Sequence, residues 1–269
     1  MRRKLQALGV LLILGVAKLP LEQRVTRELR DARLIDEPVP VGAVESMGQS
    51  GLAAILGGVR GLVASMLQLR AYTEFKRVNW GQVDSLYRIV TRLQPRNATY
   101  WDEAAWHMAY NAAGFYLFNR DGSEDRNNEI RGQLYHEHVQ RGIDILLEGL
   151  KFSPNESRLW ERLADIYFRR SYDMAKAGDA YMEARKHGAP LITLHLAAFA
   201  YAQAPQNPEA YRKAYDILKR EYDRGMNTPG VIEHLKNVES WLGIPAEKRI
   251  RDAMPEPKVP QKVPGPRRG

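Results

Sequence analysis

The chain has 269 residues, ordinary apolar and charged fractions (44% and 27%) and no cysteine. That is ample length for a packed core, and it excludes disulfides, thiolate metal sites and cysteine nucleophiles. The formal net charge is +8, but Arg2, Arg3 and Lys4 carry three of those charges, and the last fifteen residues carry another three. The +2 left for the body is too little for a basic nucleic-acid face, and no nucleic-acid partner is expected.

Residues 1–21 read as a signal peptide or membrane anchor. Arg2, Arg3 and Lys4 precede an uncharged, largely apolar run over residues 5–17. Its length suits a signal-peptide core better than a full span. Gly15-Val16-Ala17 offers small residues for cleavage, whereas a snorkelling Lys18 would extend the run to Leu21. Both readings keep the basic end in the cytoplasm and place the rest of the chain outside it, periplasmic in a bacterial-type envelope. The remaining alternative is an amphipathic core helix that opens the chain. Residues 22–50, charged and interrupted by Pro38 and Pro40, form a linker or stalk.

Over residues 51–69, Leu52, Ile55, Val59, Leu62, Val63, Met66 and Leu69 recur at helical spacing, which predicts one apolar face. The helix is rich in glycine, with Gly57, Gly58 and Gly61 around Arg60. Interior glycines weaken a helix by about 1 kcal/mol each, so the pattern calls for a compensating close contact. That contact is either packing onto the helices that follow or a membrane-contact face.

The next stretches alternate small and large apolar residues. Leu67 and Ala71 are followed by Val83, Tyr87, Val90 and Pro95. Trp101, Ala104, Ala105 and Met108 are followed by Gly142, Leu146, Gly149 and Pro154. Trp160, Leu163, Ala164 and Tyr167 are followed by Ala177, Tyr181, Ala184 and Pro190. Leu194, Ala197, Ala198 and Tyr201 are followed by Ala210, Ala214, Leu218 and Tyr222. This frame, with large and small residues on a first helix, small, aromatic and small residues on a second, and a closing proline, resembles the tetratricopeptide repeat (TPR) family over residues 64–224. A polar, turn-rich segment, residues 119–132, reads as an insertion loop within the second hairpin. Lys151 to Pro154 and Gly178-Asp179 read as inter-helix turns. Pro229-Gly230 opens a helix through Val231, Leu235, Val238 and Trp241, giving a C-terminal capping helix over residues 225–250. Residues 255–269, proline-rich and basic, read as a disordered tail.

The resemblance implies an all-α, TPR-like helical-hairpin solenoid of three to four repeats plus flanking helices. It implies a non-catalytic scaffold that binds a protein segment in a groove lined by the first helix of each hairpin. Carried over position by position, the groove holds Tyr72, Phe75, Trp106, Tyr110, Arg158, Glu161, Phe168, Arg169, His195 and Phe199. Gln68 and Tyr72 occupy the first two places where some relatives clamp a terminal carboxylate with Lys and Asn, so that specific recognition is not implied.

No cofactor, metal or catalytic set is expected. His136 and His138 alternate on a helix and point apart, and the acidic residues Asp121, Glu124 and Asp125 lack calcium-loop spacing. No phosphate cradle, nucleophile elbow or paired catalytic carboxylate occurs. The competing function is a structural or assembly subunit of a larger membrane complex, held by the N-terminal segment and the glycine-rich helix. An enzyme with its site in the groove is the third reading.

Overall fold

The computed structural model describes Arg24 and residues 59–117 and 129–253, and every regular element among them is helical. The N-terminal segment 1–21, residues 51–58 of the glycine-rich segment, residues 119–128 of the insertion and the 255–269 tail lie outside the described residues, as does the linker 22–50 apart from Arg24. The chain divides into two compact units, Met1–Tyr100 and Trp101–Gly269.

The first unit is built on a helical hairpin, α1 (Arg60–Lys76) and α2 (Trp80–Leu93). Helix α2 buries Val83, Leu86, Tyr87, Val90 and Leu93 at helical spacing. Ala64, Val90, Leu93 and Tyr100 form a core against which Val63, Leu67 and Ile89 pack. Helix α1 differs from the expectation in two ways. It continues to Lys76, so residues 60–69 of the glycine-rich segment and the first helix expected of the first repeat are one element. Its apolar residues also occupy two faces. Val63 packs inward, whereas Val59, Leu62, Met66 and Leu69 are exposed.

The second unit follows the chain through α3 (Ala98–Trp106, entered from the first unit), a π-helical turn His107–Ala112, α4 (Ala113–Leu117), α5 (Glu129–Phe152), α6 (Ser157–Ile166) with a π-helical turn Tyr167–Ser171, α7 (Met174–Lys186), α8 (Ile192–Ala202), α9 (Pro208–Asp223) and α10 (Pro229–Trp241). From α5 onward each helix packs on its predecessor, and α10 also touches α8. The ends are specified locally. Asp173, Asn207 and Thr228 cap α7, α9 and α10 by accepting backbone N–H bonds from Lys176, Ala210 and Val231. Proline stands in the first turn of α9 and α10. Gly188 and Gly243 close α7 and α10 with φ of 93° and 64°, a conformation that favours glycine.

Three glycines sit where helices touch. A Cβ on Gly149 would lie 2.7 Å from the Trp101 ring, and one on Gly178 would lie 2.4 Å from the Tyr201 ring. A Cβ on Gly142 would lie 2.6 Å from that of Ala109 and 3.0 Å from the Ala105 carbonyl oxygen. Trp101 is buried and stacks on Phe152, with ring centroids 5.9 Å apart.

Three sequence readings are corrected. Residues 129–132 are the first turn of α5, not insertion loop, because Glu129 opens a helix whose apolar face runs from Tyr135 to Leu150. Gly178-Asp179 is not a turn but the middle of α7, where the missing side chain makes room for Tyr201. The C-terminal segment is helical only to Trp241, followed by a short 3-10 turn, Ala246–Lys248. The end is then tied down by the fully buried Glu239, whose carboxylate accepts the Ile250 N–H at 3.1 Å.

Candidate functional site

In the second unit, Asp102 stands one residue after Trp101 on α3, and its side chain is 2% exposed. Arg158 and Arg162 on α6 are one helical turn apart and reach the same carboxylate. Arg158 donates through Nε at 2.8 Å and Nη2 lies 2.7 Å away, while Arg162 donates through Nε at 2.5 Å. A buried carboxylate is tolerable only with such charged donors around it. The pairing fixes both guanidinium planes while their remaining N–H groups stay available, since Arg158 is exposed and Arg162 half-buried.

These arginines, with Glu161, Asp165, Tyr181 and Leu196, line a cleft of about 270 Å³ between α6, α7 and α8. Its acceptors are held in place. Glu161 Oε1 accepts the hydroxyl proton of the buried Thr193 at 3.0 Å, and Asp165 Oδ1 accepts that of Tyr181 at 2.6 Å. Burial and the bond to Asp165 push the Tyr181 phenol far above its ordinary range. The cleft therefore offers oriented cationic donors beside oriented anionic acceptors.

Along the same helix, the π-helical turn carries Arg170 over the face of Tyr110, 4.3 Å from the ring centroid. Burial first, and then the charge of Asp165, raise the Tyr110 pKa. Arg169 is exposed, with Nε 4.0 Å from Asp165. Both π-helical turns follow the tryptophan that opens their hairpin, Trp101 or Trp160, by roughly two helical turns, and such turns often mark functional positions.

The ten groove residues expected from the sequence fall in both units, Tyr72 and Phe75 in the first and the other eight in the second. Arg158 and Glu161 line the cleft. Tyr110 and Arg169 stand beside it through Arg170 and Asp165. Phe168 is half-buried, and Trp106 is exposed with its ring against His107. Tyr72 and Phe75 belong to the first unit, where their rings stack with centroids 6.2 Å apart. Phe199 packs on His234 of α10 at 4.6 Å. His195 is buried, its Nε2 lies 3.3 Å from Oε2 of the buried Glu221 on α9, and it does not line the cleft.

Sequence reasoning missed Asp102, Arg162, Asp165 and Leu196, and placed Tyr181 in the repeat frame without a part in the site. The i, i+4 spacing of Arg158 and Arg162 was a usable signal for two cations on one helix face. Nothing in the sequence ties that face to Asp102, more than fifty residues earlier. Among the described residues, no group of His, Asp and Glu is arranged to hold a metal ion.

No family model, curated protein or solved structure matches the chain.

Proposed function

We propose that the protein is a non-catalytic, TPR-like helical-hairpin scaffold of the cell envelope, and that it docks an extended partner segment in the cleft of α6, α7 and α8. The basic N-terminus ahead of the apolar run supports export or anchoring. The succession of helices each packed on its predecessor, with Gly149 against Trp101 and Gly178 against Tyr201, supports the repeat architecture.

The observation that carries the docking reading is the pair Arg158 and Arg162, oriented by one buried carboxylate toward a cleft that also holds Glu161 and Asp165. An extended segment presents alternating carbonyls, N–H groups and side chains. Fixed guanidinium donors and fixed carboxylate acceptors side by side match such a ligand, and their prior orientation lowers the ordering cost of binding.

A photo-crosslinking amino acid at Leu196, compared with one at the exposed Asp216 on α9, tests this in intact cells. The expected result is a discrete adduct with one partner segment from Leu196, absent from Asp216 and lost on Arg158→Glu. No adduct from Leu196, or the same adducts from both positions, would overturn the reading.

A further inference from the structure

Helix α1 is apolar on two opposite sides. Ala64 and Ala71, with Val63 and Leu67, face inward, and Ala64, Val63 and Leu67 join the core that includes Val90 and Leu93. On the other side Leu62, Met66 and Leu69, spaced i, i+4 and i+7, are 60%, 59% and 70% exposed. Val59 and Tyr72 border them and are also exposed. A contiguous stripe of large apolar side chains on a helix already packed on its other side marks a surface meant to be covered.

The charges beside the stripe identify what covers it. Arg70 and Lys76 are exposed, and Lys76 sits over the Tyr72 ring at 4.6 Å. The only acid in α1, Glu74, is engaged by Arg77 and Asn79, each at 3.2 Å. A second copy of α1 would bring the same cations to the seam with no free carboxylate to meet them. An anionic bilayer surface supplies both needs, acyl chain for the stripe and phosphate for the cations, with Tyr72 at the level where aromatic residues favour the headgroups. No helix among the described residues is long and apolar enough to cross a membrane, so α1 would lie in the interface plane.

We propose that α1 is an interfacial helix that binds an anionic lipid surface through Leu62, Met66 and Leu69, with Arg70 and Lys76 on the headgroups. This site is separate from the docking cleft and does not depend on it.

The absence of cysteine makes the test specific, because Leu69→Cys carries the only thiol and can take an environment-sensitive fluorophore. Asn155→Cys, exposed in the second unit, gives a matched control in the full chain. The probes are vesicles of phosphatidylcholine with phosphatidylglycerol and vesicles of phosphatidylcholine alone. With the anionic vesicles the label at 69 shifts to the blue and is quenched by spin-labelled acyl chains, while the label at 155 stays aqueous even if the N-terminal segment tethers the chain. Arg70→Gln with Lys76→Gln lowers the partition coefficient read at 69 about 30-fold, as the loss of two surface cations warrants. Three results overturn the proposal: no change at 69 on adding vesicles, equal change with both lipids, or a label shielded before vesicles are added. In the last case, dependence on protein concentration identifies a second copy, and independence a segment of the same chain.

Discussion

The carboxylate of Asp102 on α3 holds the Arg162 guanidinium of α6 at 2.5 Å, joining two successive hairpins through one buried charge. Asp102 therefore has a structural as well as an orienting role. Asp102→Asn keeps the volume and removes the charge, leaving Arg162 without its counter-ion in a half-buried setting. The exposed Arg158 loses less, because water screens it. The expected loss of stability is about 2–3 kcal/mol, read from the urea midpoint with an unchanged denaturant slope. A change below about 0.5 kcal/mol would show that solvent already screens the pair.

Glycines that look alike in the sequence are expected to respond in opposite directions. Gly142→Ala places a Cβ 2.6 Å from that of Ala109 and 3.0 Å from a backbone carbonyl, neither of which can rotate away. It is expected to destabilise by about 1–3 kcal/mol. Gly132→Ala in the first turn of α5 meets nothing within 4 Å and is expected to stabilise by about 0.5–1 kcal/mol. Thermal melts of the two variants measure the contrast, and equal shifts would contradict the close helix approach at Gly142.

Acid should weaken the fold through His107. Burial lowers its pKa from 6.5 to about 4. The side-chain nitrogen of Asn111 lies 3.2 Å from Nδ1 of His107, a pairing in which the ring nitrogen accepts and the imidazole is neutral. Between those pH values the unfolded chain binds the proton and the folded chain does not. The stabilisation is therefore complete above about pH 6.5 and is lost as the pH falls toward 4. The size is about 3 kcal/mol. His107→Gln should flatten that part of the stability profile. An unchanged slope in the variant would assign the acid sensitivity to other groups.

Local patterns in the sequence were sufficient for the helical class. Val83, Leu86, Tyr87 and Val90 fall on one face of α2 because a 3.6-residue period admits no other placement. The glycine after α10 and the proline that opens it act through their own backbone preferences, so they too were legible. Helix α1 was read less well. Its apolar spacing was visible, but spacing alone does not say which neighbour each residue meets. One apparent face proved to be an inner face with Val63 and an exposed one with Leu62, Met66 and Leu69.

The cleft shows the same limit more sharply. By itself the sequence determined that the chain is helical and where most helices run, since these depend on neighbours a few residues away. Only the tertiary structure decided that Arg158 and Arg162 converge on Asp102, that Asp165 receives Tyr181, and that His195 turns inward to Glu221. Each of those pairings joins different helices, and the angle at which helices pack sets which side chains meet. That angle follows from the summed shape of many core residues, among them Gly142, Gly149 and Gly178, and no local pattern records it.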